Sequence, residues 1–166
     1  MVSGMLSPRR AHNSVVTVER MTTIEIDIPT ALDSTDLDAI RRLLPQLSRS
    51  STFDEERLLA MLGHPGTDLL VARVDGEVAG MATLASFPLA TGWRGHVDDV
   101  VVDDAHRGQG IARRLLEAII QLAETRGLRT LDLTSRPSRR AAIALYESVG
   151  FVRRESTLMR YAEVQD

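Results

Sequence analysis

Residues 97–112, VDDVVVDDAHRGQGIA, constrain the fold more than any other stretch of this chain. Val97, Val100, Val101 and Val102 are β-branched and apolar, as a strand favours, and Asp103, Asp104 and Ala105 then turn the chain. Arg107, Gly108, Gln109, Gly110, Ile111 and Ala112 follow, opening a run whose apolar residues recur at helical spacing. Two glycines at the mouth of a helix let backbone approach a ligand with no Cβ in the way, and the first helical amides have no partner within the helix. Free N–H groups and the positive end of the helix dipole favour an anion, and a phosphate is the natural guest. A tight turn that only packs helix on strand accounts for such a glycine pair equally well.

Composition removes other chemistries. All 20 basic residues are arginine, so a P-loop, which needs a lysine beside Ser or Thr, is excluded together with Schiff-base catalysis. The dinucleotide fingerprint G-x-G-x-x-G is not met either. With no cysteine there are no disulfides, thiolate nucleophiles or zinc-thiolate sites. A net charge of −3 opposes general nucleic-acid affinity, and no apolar run approaches the ~18 residues of a membrane span. His12, His64 and His106 show no helix-ligand spacing, and His96-x-Asp98 is too slight for a metal site, so no metal is expected. The length of 166 residues suits one domain. Residues 1–21 carry Arg9, Arg10 and Arg20 but no apolar signal core, and read as a leader or disordered tail before a single domain over 22–166. A cytoplasmic protein is the simplest expectation.

The elements follow from local patterns. Ile24, Ile26 and Ile28 alternate with polar residues as in a half-buried strand ended by Pro29. Asp33 or Ser34 caps a helix carrying Leu37, Ile40, Leu43 and Leu44, with Pro45 expected at its end. A second helix starts after Thr52 or Phe53, carries Leu58, Leu59 and Leu62 and stops at Gly63. Residues 69–74 and 77–86 are strands joined by Asp75-Gly76, a strong hairpin signal, and residues 87–95, with Pro88, Gly92 and Trp93, are expected as a loop. Ile111, Leu115, Ala118, Ile119 and Leu122 line one face of a helix over 108–126, and residues 128–134 form the next strand. Ala142, Leu145, Tyr146 and Val149 line another helix ended by Gly150, before strand-like residues 151–154.

Two of these segments resemble motifs of the GNAT superfamily of acyl-CoA-dependent N-acetyltransferases. Residues 107–112 are similar to its pyrophosphate motif Q/R-x-x-G-x-G/A, and residues 142–151, AIALYESVGF, to its C-terminal signature A-x-x-L-Y-x-x-x-G-F. The resemblance covers roughly residues 24–161. It implies an α/β (α+β) domain with a mixed, mostly antiparallel central sheet of about six to seven strands, helices on both faces, and two parallel central strands splayed apart. It also implies acetyl-CoA as cosubstrate. Pantetheine would pair with backbone near Val100, Val101 and Val102, and the pyrophosphate would lie on Arg107, Gly108, Gln109, Gly110, Ile111, Ala112 and Arg113. Arg139 stands where many relatives place a cofactor-binding asparagine, and an arginine there suits phosphate.

The resemblance further implies roles at the reacting centre. Tyr146 would protonate the departing thiolate, and its ordinary pKa near ~10 keeps it protonated at neutral pH. Asp98 is the first candidate base and His96 the second, since strand alternation puts both on one side of the chain unless a bulge resets the phase. Asp99 would hold the substrate ammonium or bond structurally, and Trp93 would pack as a lid or touch substrate. The expected reaction is acetyl transfer to a primary amine of a small molecule or peptide, with no nucleic-acid or membrane partner and a homodimer left open. A non-catalytic acyl-CoA-binding regulatory module and a nucleotide-binding domain of another class are the alternatives.

Overall fold

The computed structural model describes residues 22–48 and 51–161, so the expectation for residues 1–21 lies outside the described residues. Five strands form one sheet in the order β1 (Ile24–Asp27), β2 (Thr67–Val74), β3 (Glu77–Leu89), β4 (Gly92–Val102), β5 (Thr130–Leu133). The first three pairings are antiparallel, and β4 with β5 is parallel, joined through a helix. The sheet is thus mixed and mostly antiparallel, as expected, but among the described residues it has five strands where six to seven were expected. The missing strand signal is at 151–154, where the chain takes no ladder among the described residues.

The two sheet faces are covered differently. On one face α3 (Ile111–Thr125) packs Ile111, Leu115, Leu116 and Ile119 against Leu70, Ala72, Leu84, Val97 and Val102. Each of those four α3 side chains is essentially fully buried, and burial of such a side chain stabilises by about 1.5–3 kcal/mol. α4 (Arg140–Ser148) adds Leu145 and Tyr146 to the rim of the same cluster. On the other face α1 (Ser34–Leu47) sets Ala39, Ile40 and Leu43 against Val71, Val78, Met81 and Val101, and α2 (Glu55–Leu62) brings Leu58, Met61 and Leu62 to its edge.

Local chemistry explains most boundaries. Asp33 caps α1 by accepting from the amides of Thr35 and Asp36, and Asp54 caps α2 by accepting from Arg57. Pro45 does not end α1: it lies in the last turn, where the donor it lacks costs one hydrogen bond, and the helix continues to Leu47. Asp75 and Gly76 both take positive φ, 51° and 92°, as the tight β2–β3 turn demands.

Residues 87–95 are not a loop. Phe87 pairs with Arg94, Pro88 with Trp93 and Leu89 with Gly92, so β3 and β4 extend as a long hairpin and only Ala90 and Thr91 turn. Gly95 makes the hairpin's approach to β5 feasible. A Cβ there would lie 2.8 Å from Leu128, 2.9 Å from Leu131 and 3.2 Å from Leu84.

Candidate active site

The parallel pair β4–β5 is matched only from Arg94↔Thr130 to Val97↔Leu133. β4 continues to Val102, so its last five residues have no strand partner on that side. At the point of parting β4 is bulged. Thr83 pairs with Asp98 and Met81 with Val101, leaving one extra residue on β4, and Asp99 sits in the left-handed region at φ 53°. Simple alternation from Val97 would place Asp99 and Val101 on the α3 face. The bulge resets the phase, so that Val100 and Val102 join the α3 cluster while Val101 joins the α1 cluster. Before the bulge alternation holds: His96 Nε2 lies 3.7 Å from the Asp98 carboxylate, on the face opposite Val97. The Asp98 side chain is well exposed and that of His96 half-buried. Burial, and then the charge of Asp98, raise the Asp99 carboxyl above the ordinary carboxylate value.

The glycine corner follows. Asp103 caps a 3-10 turn at Asp104–His106, and Arg107 is tied down twice, through Nε to the Val102 carbonyl at 3.3 Å and through an ion pair with Asp104. Its guanidinium fastens the corner. Gly108 and Gly110 both have φ 78°, and Gly110 is the N-cap of α3 with no side chain accepting from the first amides. The first intrahelical bond is from the Arg114 amide to the Gly110 carbonyl, which leaves the amides of Ile111, Ala112 and Arg113 without helical acceptors. The first turn of α3 holds no acidic residue. A cavity of about 220 Å³ opens here, lined by Val102, Arg107, Gly108, Gly110, Ile111 and Leu145 among others. Arg113 turns to α4, donating to Ser148 Oγ at 2.8 Å.

Leu145 and Tyr146 are adjacent on α4. Leu145 closes the corner cavity, and Tyr146 lines a much larger groove, about 1410 Å³, that runs along β5 past Arg94, Thr130 and Asp132. Tyr146 packs edge-on to Phe151 with ring centroids 6.3 Å apart. Its hydroxyl has no hydrogen-bond partner among the described residues. Burial raises the phenol above its usual value, and the charge of Arg139 opposes that rise. Arg139 itself donates to the Leu47 carbonyl at 3.0 Å, tying the start of α4 to the end of α1.

A family model for the acetyltransferase (GNAT) family matches residues 36–151, which contain β4, the corner and Tyr146 in one span. The chain belongs to the GNAT family. Among curated relatives, a [ribosomal protein bS18]-alanine N-acetyltransferase from Escherichia coli K12 is 48% identical over 62 residues, 37% of this chain and 40% of that protein. This chain therefore matches less than half the length of that relative. The Salmonella typhimurium protein of the same description is 34% identical over 129 residues, covering 78% of this chain and 82% of its own. A solved ribosomal-protein-alanine N-acetyltransferase from Brucella melitensis superposes with TM-score 0.67 at 26% identity, over 84% of this chain and all of that one.

Within this GNAT domain the predicted residues are not all brought together. His96 and Asp98 share the open face of β4, whereas register places Trp93 on the opposite face with Pro88 and Gly95, its indole half exposed. Gln46 is a residue that pattern reading missed. Its side chain accepts from the Asp104 amide at 2.9 Å and reaches Asp103, pinning the corner to α1. A lone glutamine after a proline carries no signal for that. Asp132 was missed too, although Leu131 and Leu133 alternate around it; its place beside His96 depends on the β4–β5 register.

Proposed function

We propose that this chain transfers an acetyl group from acetyl-CoA to a primary amine of a small molecule or a peptide. The observation that carries the reading is the parting of β4 from β5 after Val97, between a helix start rich in free amides and an unpaired phenol. The residues present fit acetyl-CoA. The amides of residues 108–113 offer donors to its diphosphate, with Arg107 holding their loop in shape, and the unmatched edge of β4 at Val100, Val101 and Val102 offers backbone to its pantetheine arm. Arg139 lies at the mouth of α4, where it adds positive charge.

Acetyl-CoA supplies an activated thioester. The chain's own groups then have two proton tasks and one orienting task. Asp98, with His96 beside it, takes the proton of the acceptor ammonium directly or through water, and Asp99 adds negative charge that favours a cationic acceptor. Tyr146, held protonated by burial, gives a proton to the departing sulfur. The Salmonella relative's name supports a peptide amine as one acceptor class.

Thiol release from acetyl-CoA across a panel of amines tests the reading, with Tyr146→Phe and Asp98→Asn beside the parent. Amine-dependent release slowed about 10²-fold or more by each substitution is the expected result. Binding of acetyl-CoA without release for any amine would leave a non-catalytic acyl-CoA module. Release untouched by both substitutions would remove the residue roles while leaving the activity.

A further inference from the structure

The open face of β3–β4–β5 carries a ladder of side chains that the proposed transfer does not use in full. Paired residues in adjacent strands project to the same side, so three successive rungs can be read from the register. Thr83 stands beside Asp98; Ala85, His96 and Asp132 form the next rung; Phe87, Arg94 and Thr130 form the one after. The rungs are about 7 Å apart, which puts the Arg94 rung roughly 13 Å from that of Asp98 along the strand.

Arg94 and Thr130 are the anomaly. Arg94 is partly buried: its Nε is sealed from solvent while its terminal nitrogens stay open, and it has neither a hydrogen bond nor an ion pair among the described residues. Thr130 Oγ1, directly beside it, is likewise buried without a partner. Buried polar atoms are nearly always satisfied, so two neighbouring ones without partners stand out, and the guanidinium above them has open terminal nitrogens free to meet an anion. The acids nearest by register, Asp132 and Asp98, form no ion pair with it. Both residues line the same 1410 Å³ groove as Tyr146 and Asp132. Phe87 and Leu89, 42% and 47% exposed, flank them on the same face with apolar surface.

We propose that Arg94, seated beside Thr130, forms an anion subsite for the acceptor, which is an amine carrying a carboxylate or phosphate several bonds from its nitrogen. The inference rests on the acetyl-transfer reading for the position of the amine. The ladder then has an acidic end at Asp98 and Asp132 for the ammonium and a cationic end at Arg94 for the anion. An extended tripeptide spans about 10 Å, which suits that separation.

The test uses two matched pairs of probes: alanyl tripeptide as free acid against its C-terminal amide, and glucosamine 6-phosphate against glucosamine. Each is titrated calorimetrically into the full chain with CoA present, and each is also offered as acceptor in the thiol-release assay. The parent is expected to bind the anionic member of at least one pair about ten-fold or more tightly than its neutral mate, as a charge-assisted bond warrants. Which pair shows the effect distinguishes carboxylate from phosphate. Arg94→Gln should bring the two members within about two-fold of each other, raising KM for the anionic one with little change in kcat, and Arg94→Lys should restore part of the difference. Thr130→Val should weaken the anionic member alone, and it carries the comparison with Arg94→Lys if Arg94→Gln does not fold.

No preference for either anionic member in the parent, or an equal loss for both members in Arg94→Gln, overturns the subsite. Anion preference in binding without acetyl transfer would instead sink the transfer reading and leave the subsite standing. Transfer without any preference would do the reverse.

Discussion

Asp99 is held at φ 53° beside a second carboxylate, with its own carboxyl pushed above the ordinary range by burial and then by Asp98. A raised acid binds protons more readily folded than unfolded, so once pH is above both its pKa values, where it is charged in each state, it subtracts from stability. Asp99→Asn keeps a residue type that tolerates the left-handed region and removes that charge. Its melting midpoint should exceed the parent's at alkaline pH, and the gain should shrink as pH falls through the folded-state value and vanish below the unfolded one, which thermal scans across pH will read. Tyr146 follows the same sign at higher pH. Its phenol is raised by burial, so the group is protonated throughout the neutral range, and its contribution to stability is intact below about pH 10 and lost as pH rises through the folded value. If it is the proton donor, kcat in the parent should carry an alkaline limb above the ordinary tyrosine value. That limb should be missing from Tyr146→Phe. The motif around Tyr146 was legible from helical spacing, because a buried face every three to four residues leaves a periodic trace. The unpaired state of its hydroxyl was not, since it depends on Phe151 and β5.

Elements here are tied by groups that pattern alone does not reveal. α3 begins at a glycine with φ 78°, where an added Cβ would meet nothing within 4 Å. Gly110→Ala should therefore cost about 1–2 kcal/mol, all of it conformational, and weaken acetyl-CoA binding as the corner relaxes. Chemical denaturation and a binding titration separate the two losses. α1 is held to the sheet by Asp36, nearly buried, whose carboxylate takes both arms of Arg73 at 2.6 and 3.0 Å while Arg73 Nε donates to Asp27 at 2.9 Å. Asp36→Ala leaves that guanidinium with the more exposed Asp27 and the Gly76 carbonyl, and a loss of about 3–5 kcal/mol is expected in equilibrium unfolding. The end of α1 illustrates the limit of local rules. Pro45 marks a helix end by propensity, yet tertiary packing of Leu43 and the side-chain bonds of Gln46 carry the helix past it.

At the scale of the whole molecule the ligand should report on the fold. Acetyl-CoA at about 100 times its dissociation constant adds ~2.7 kcal/mol of stability if it binds only the native state. For a domain of this size that is a rise of roughly 5–10 °C in Tm, and no rise at saturation would refute cofactor binding and both readings that depend on it. The sequence alone determined the order and type of most elements, residues 87–95 and 151–154 excepted, together with the β2–β3 hairpin and the glycine corner. These rest on short-range physics: apolar periodicity, capping side chains, and the φ values that only glycine, aspartate or asparagine take readily. Tertiary structure decided what no local window contains. The extension of β3 and β4 through residues 87–95 depends on cross-strand pairing. The bulge at Asp99 exists because Val100 and Val101 find their cores on opposite faces. Arg94 beside Thr130 and His96 beside Asp132 are products of a parallel register set by a fifteen-residue helix between the strands. Side chains thirty-six residues apart are neighbours only once that helix has packed, so their chemistry is written in the fold.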